Sequence, residues 1–265
     1  MDKIKLLVFD IDGTLIDRSK QTVEASAKAA INQAKEKGYE ILIATGRSFF
    51  FIHEDVKKSI DTDFFVTVNG ACLNDPSGEI IQSYAFDNES LKTLIDYCQK
   101  NNYDLGIKYN KFIGVYGDYN NFVKNYVGHD HPGVKYLKFD EHNDFYKTND
   151  ALGVYYFAPT ETLAEVAALI PNLSFVPSDQ SAIEAMRCDV DKTKNIEDVL
   201  KRLDLTWDNV ATFGDAHNDI EMLQKARFGV AMGNAHDEVK EHADYVTSHI
   251  LDDGIEKALK HLNII

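Results

Sequence analysis

Ile4-Lys5-Leu6-Leu7-Val8-Phe9-Asp10-Ile11-Asp12-Gly13-Thr14-Leu15 is the stretch on which the fold turns. Its first six residues are almost continuously apolar and rich in branched side chains, the pattern of a strand buried on both faces inside a parallel sheet. The run stops at Asp10 and Asp12, which in extended chain share one side, and Gly13 permits a sharp turn directly afterwards. Two carboxylates that close repel and raise one pKa unless a cation intervenes, a division of roles that suits a nucleophile and a proton donor. A bare Asp-x-Asp is also an ordinary turn after a strand, so this stretch needs company to mean chemistry.

Working outward, Val23, Ala27, Ile31 and Ala34 recur at helical spacing before Gly38, and Ile41 to Ala44 is a second buried strand broken by Thr45-Gly46-Arg47. Ser48 to Lys58 reads as a helix, and Phe64 to Val68 as a third strand ending at Asn69-Gly70. Strand, helix, strand, helix, strand predicts a parallel sheet. From about Ser83 aromatic and Asn content rises: Ile107 to Tyr116 reads as a strand pair, Leu152 to Phe157 as a strand, and Leu91 to Cys98 and Leu163 to Ile170 as helices. After Cys188 the first pattern resumes, with a helix through Ile196 and Leu203 and strands at Val210 to Phe213 and Phe228 to Met232. The predicted class is α/β, a Rossmann-like doubly wound parallel sheet with an inserted α+β cap. Residues 1–82 and 183–265 form the core, and residues 83–182 the cap.

Each predicted strand of the outer segments ends in a polar residue: Asp10, Thr45, Asn69, Asp215 and Asn234. Open parallel sheets bind ligands at the carboxyl ends of their strands, so these residues are expected to converge.

The formal net charge of −15 argues against nucleic acid and anionic membranes as partners, and requires any phosphate site to be assembled locally from metal, lysine and backbone N–H groups. Cys72, Cys98 and Cys188 are odd in number and widely spaced, which fits buried thiols in a reducing compartment. The apolar run at the start is too short and too charged for a signal peptide or membrane span, so the expectation is a cytoplasmic protein, monomeric or weakly homodimeric.

Asp10 to Leu15 behind its apolar strand resembles the first motif of the haloacid dehalogenase (HAD) superfamily of phosphatases, and Gly214-Asp215-Ala216-His217-Asn218-Asp219-Ile220-Glu221-Met222 resembles the fourth. Asn69-Gly70-Ala71, Met232-Gly233-Asn234-Ala235 and Asp253-Gly254-Ile255 resemble the Cof-type branch (subclass IIB), which carries a large α+β cap between its second and third motifs. The resemblance implies that Asp10 attacks phosphorus and that Asp12 protonates the leaving oxygen and then activates water. It implies phosphate binding by Ile11, Thr45, Gly46, Lys192 and Asn218. It also implies a magnesium ion (Mg2+) held by Asp10, Asp12 through its backbone carbonyl, Asp215 and Asp219. The implied substrate is a small phosphorylated metabolite, such as a sugar phosphate, pyridoxal phosphate or a flavin-pathway intermediate. At the third motif Thr193 follows Lys192 where glycine is common, leaving Lys194 as a second candidate.

Arg47, Lys108, Tyr109, Tyr116, Tyr155 and His129 are candidates to face the substrate, although tyrosines on strands are more often packing residues. His129-Asp130-His131 and His217 suggest a metal, but their spacing supplies no zinc site. The competing functions are a phosphomutase using the same phospho-aspartate chemistry, and a non-catalytic protein that binds phosphometabolites.

Overall fold

The computed structural model describes residues 3–178 and 181–265; Met1, Asp2, Asp179 and Gln180, which fall within the expected core and cap spans, lie outside the described residues. The apolar runs become strands β1 (Leu6–Phe9), β2 (Glu40–Ala44) and β3 (Phe64–Thr67), linked by helices α1 (Ala25–Glu36) and α2 (Glu54–Ser59) and followed by β4 (Cys72–Asn74) and β5 (Ile80–Ser83). All four residues of β1 are buried, as a strand covered on both faces requires.

A second unit follows, built from α3 (Asn88–Lys100), β6 (Leu105–Lys108), β7 (Ile113–Tyr116), α4 (Tyr119–Tyr126), β8 (Leu137–Phe139), β9 (Gly153–Phe157), α5 (Leu163–Leu169), β10 (Leu173–Ser178) and β11 (Ala182–Arg187). Its sheet runs β10-β11-β9-β6-β7-β8 and is mostly antiparallel. Leu91, Leu94, Ile95 and Cys98 of α3 and Val166 of α5 pack on Ile107, Val154 and Tyr156 of that sheet. Tyr109 and Tyr116 are buried in the same cluster with their hydroxyls 3.0 Å apart, so both are packing residues. Lys108 is buried against Glu184, and His131 caps the turn at Pro132–Tyr136 by accepting the Gly133 N–H at 3.0 Å.

The chain then returns to the first sheet through α6 (Lys192–Leu203), β12 (Val210–Gly214), α7 (Ile220–Lys225), β13 (Phe228–Ala231), α8 (Asp237–Glu241), β14 (Tyr245–Val246) and α9 (Gly254–His261). That sheet has the order β14-β13-β12-β1-β2-β3-β4-β5, parallel from β14 to β3. Ile196, Val199 and Leu200 of α6 pack on Leu6, Val8, Leu42 and Val66. The winding runs outward from β1 through β2 to β3, and outward the other way from β12 to β14. The order reverses between β1 and β12, and the ends of those two strands form the crevice in a doubly wound sheet. The expected fold class is the one observed.

Three local readings need correction, the first being Cys188, which is exposed, not buried like Cys72 and Cys98. Ser48 to Lys58 is not one helix: a 3₁₀ turn at Phe49–Phe51 precedes α2. Phe50 and Phe51 pack in a cluster with Ile113, Val115, Phe122 and Leu137, and residues 48–51 group by contact with the second unit, so the aromatic run is drawn away from helical continuation. The sheet pairing also moves the expected edge at 182/183. β11 pairs with β9 and β10, and Ser83–Val190 group together with Ser48–Phe51, while Ile52–Gln82 and Asp191–Ile265 group with the chain up to Arg47. Among the described residues no helix is long and apolar enough to cross a membrane.

Candidate active site

Asp10 stands one residue past the end of β1, its N–H continuing the parallel ladder to the Phe213 carbonyl at 3.0 Å. The chain then coils tightly, with the N–H groups of Leu15 and Ile16 both on the Ile11 carbonyl at 2.9 Å. Gly13 makes the coil possible: its φ is +98°, and a Cβ there would lie 2.1 Å from Asp215 Oδ2. Asn234 pins the same turn by donating to the Gly13 carbonyl at 2.7 Å, and its Oδ1 accepts the Ile250 N–H at 3.0 Å.

From β12 the chain supplies Asp215 and, four residues on, Asp219, whose Oδ2 accepts the N–H groups of Asp215 and Ala216, each at 3.0 Å. Asp191 caps α6 by accepting the Thr193 N–H at 2.7 Å, so Lys192 opens the helix. The Lys192 ammonium, with 1% of its side chain exposed, donates to Asp10 Oδ1 and Asp219 Oδ1, both at 2.6 Å. Lys192 is thus the lysine that meets Asp10, which separates it from Lys194. One carboxylate oxygen from each of Asp10, Asp215 and Asp219 lies within 4.8 Å of the others, and all three residues are buried.

Burial pushes the Asp10 carboxyl up to about 8, with the Asp219 and Asp215 charges adding and Lys192 opposing. Asp215 is pushed up to about 6, again chiefly by burial with the Asp219 charge adding, while Arg18, Thr14 and Lys192 oppose. Burial works against a charged Lys192, but Asp10 and Asp219 outweigh it and hold the ammonium above its ordinary range. With all three carboxylates ionised, the one buried ammonium would leave two formal negative charges in the cluster. That surplus, presented by oxygen ligands alone, fits a hard divalent cation.

The Asp12 side chain turns away from this cluster. Arg47 grips it as a fork, Nε to Oδ2 at 2.7 Å and Nη2 to Oδ1 at 2.8 Å. Thr45 is buried beyond β2, and its hydroxyl oxygen accepts the Arg47 N–H at 3.2 Å. After β3, Val68 and Asn69 take φ of +50° and +49°; for a β-branched residue this backbone costs about 1–3 kcal/mol, a kind of strain that clusters at active sites.

The family model for haloacid dehalogenase-like hydrolases matches residues 7–259. The chain belongs to that family. This haloacid dehalogenase-like hydrolase is 30% identical over 258 residues to the 5-amino-6-(5-phospho-D-ribitylamino)uracil phosphatase YcsE of Bacillus subtilis, covering 97% of its own chain and 95% of the relative. It is 27% identical over 267 residues, 100% of both chains, to a phosphoglycolate phosphatase of Archaeoglobus fulgidus. The solved structure of the HAD subclass IIB sugar phosphatase BT4131 matches with a TM-score of 0.84 at 29% identity, covering 98% of this chain and 100% of that one. The hydrolase is accordingly a phosphatase, a phosphoric monoester hydrolase.

Asn218 of this hydrolase, expected at phosphate, donates through Nδ2 to Asn69 Oδ1 at 2.8 Å. The chain after Gly46 enters the short 3₁₀ segment described above and not the helix expected from Ser48, so no α-helix starts directly behind Thr45-Gly46. His217 pairs with Glu238 at 2.8 Å. Arg18, not anticipated from sequence, brings a guanidinium to 3.5 Å from Asp215 Oδ2 from a largely exposed side chain. Its one sequence signal was its position just past the Gly13 turn.

Proposed function

We propose that this chain is a magnesium-dependent phosphatase of small phosphorylated metabolites, sugar phosphates or similar phosphomonoesters, acting through an aspartyl phosphate on Asp10. One observation carries the reading: Lys192 bridges two buried carboxylates, Asp10 and Asp219, beside a third, Asp215, at the strand ends where the sheet order reverses. The surplus of negative charge in such a site is what a divalent cation would offset. Asp10, Asp215 and Asp219, with the Asp12 carbonyl, would hold magnesium, which when bound supplies positive charge against the phosphoryl oxygens.

The chain's own residues do the rest. Asp10 Oδ attacks phosphorus in line, the bond to the leaving oxygen breaks, and Asp12 gives that oxygen its proton. Asp12, now a carboxylate, takes a proton from water as the water attacks the phosphorus of the aspartyl phosphate, returning Asp10 and releasing phosphate. Lys192 neutralises charge throughout. In the free enzyme Arg47 grips Asp12 as a carboxylate, so on leaving that fork Asp12 takes up a proton from solvent, which it then gives to the leaving oxygen. The named relatives act on a ribitylamino-uracil phosphate, phosphoglycolate and sugar phosphates, which sets the range of compounds worth testing.

Phosphate release from sugar phosphates, pyridoxal phosphate, FMN and a nitrophenyl ester, with and without magnesium, tests the proposal. Release that requires magnesium supports it; a folded protein that binds magnesium and releases phosphate from none of them overturns it. Within that assay Asp12→Asn is expected to slow hydrolysis of sugar phosphates by about 10²–10⁴-fold, since their alkoxide needs a proton, and to slow the first step of the nitrophenyl ester far less.

Magnesium binding should also release protons. Asp215 titrates near 6 and Asp10 near 8 in the free protein, so at pH 7 part of the cluster is protonated and must ionise to bind the cation. Magnesium added in weakly buffered solution is expected to acidify it, and affinity to fall steeply below pH 6; affinity independent of pH would contradict the assignment of these ligands.

A further inference from the structure

The turn after β3 is more constrained than a connection requires. Val68, Asn69 and Gly70 take positive φ in succession, +50°, +49° and +97°. The Val68 N–H donates to the Arg47 carbonyl at 2.9 Å, the Asn69 N–H to the Thr45 carbonyl at 3.0 Å, and Asn195 Nδ2 to the Gly70 carbonyl at 2.6 Å. A Cβ on Gly70 would lie 1.8 Å from the Asp191 carbonyl oxygen. The turn is therefore held between the segment that carries Thr45 and the helix start that carries Lys192.

Its side chain reaches further. Asn69 Oδ1 accepts from Asn218, which follows β12, while Asn69 itself follows β3. In the sheet order β12-β1-β2-β3 this amide bridge spans the ends of β1 and β2, where Asp10 and Thr45 stand. A Cβ on Gly46 would lie 2.9 Å from Asn69 Oδ1 and 3.2 Å from Nδ2, so the amide lies flat against the Thr45-Gly46 corner. With Oδ1 engaged by Asn218, the Nδ2 hydrogens are donated to no acceptor among the described residues. Asparagine adopts the left-handed backbone more readily than most residues, and here that backbone aims the amide.

Resting on the phosphatase reading, we infer that Asn69 is a phosphoryl-binding residue: its Nδ2 donates to a non-bridging phosphoryl oxygen, while its Oδ1 holds Asn218 in register. The two amides form a neutral donor pair joining the loops after β3 and β12. A neutral donor suits a site that already has a lysine and a cation, because it adds direction without further charge.

Asn69→Gly removes the amide and keeps a residue at ease with positive φ, and Asn69→Asp keeps the shape but replaces the donor by an anion. Inorganic phosphate and orthovanadate, titrated calorimetrically into the magnesium-loaded full chain, are the probes. Asn69→Gly is expected to weaken both by about 10- to 100-fold, and Asn69→Asp by more, with kcat/KM for the nitrophenyl ester falling in parallel. Unchanged affinity for both anions in Asn69→Gly overturns the inference, whether or not the melting temperature falls. The titration needs no turnover: a wild type that binds phosphate without hydrolysing any ester would count against the phosphatase reading and leave the role of Asn69 decided by the same comparison.

Discussion

Asp10→Asn is expected to fold, to bind magnesium more weakly, and to release phosphate at least about 10⁴-fold more slowly than the wild type. The amide fills the same space and cannot form the acyl phosphate. Folding should survive because the carboxylate is itself a burden on the metal-free protein. Burial raises its pKa from 3.8 to about 8, so the folded state binds this proton more tightly than the unfolded chain does. The stability that this preference contributes is fully present below pH 3.8 and is lost as pH rises through 8. Without metal, the melting temperature of Asp10→Asn should therefore fall less between pH 4 and 8 than that of the wild type. A variant with wild-type turnover would remove Asp10 from the chemistry. A wild-type pH dependence of melting would mean that Asp10 is not the strained group.

Lys192→Met should damage both stability and catalysis. It leaves Asp10, Asp215 and Asp219 together and takes from Asp10 and Asp219 the ammonium that each touches at 2.6 Å. Breaking a buried pair in this way costs about 3–5 kcal/mol, which for a domain of this size lowers the melting temperature by roughly 10 °C. Magnesium should restore much of that loss, since the cation answers the same excess of charge. Activity should not return with it, because the phosphoryl group still lacks the lysine. Thermal melts with and without magnesium, alongside the assay, separate the two losses; a variant that melts like wild type in the absence of metal would show that the ion pair carries little of the cluster's charge balance.

What could be read from sequence followed from strong local patterns. Buried strands such as Leu6–Phe9 show as uninterrupted apolar runs, and the polar residues that stop them had to meet because parallel strands end on one side. Lys192 could be placed only within two residues, since a helix start does not reveal which lysine turns inward. The Phe49–Phe51 segment escaped because its aromatic residues satisfy a helical pattern locally while their packing partners lie at Ile113 to Leu137. The expected edge at 182/183 cuts the strand Ala182–Arg187, because nothing in its local sequence says which sheet it joins. The Arg47 fork on Asp12 and the Asn69–Asn218 bridge join residues 35 and 149 positions apart, and no local signal foretells such pairs.

The central claim is a covalent phosphoryl group on Asp10, and Asp12→Asn with a nitrophenyl phosphate tests it most directly. That leaving group departs without a proton, so attack by Asp10 persists, while the water that clears the intermediate has lost its base. The account predicts a burst of nitrophenolate stoichiometric with enzyme, a slow phase after it, and an acid-quenched peptide phosphorylated on Asp10. Linear release from the first turnover with no adduct, or an adduct on any other residue, would contradict it.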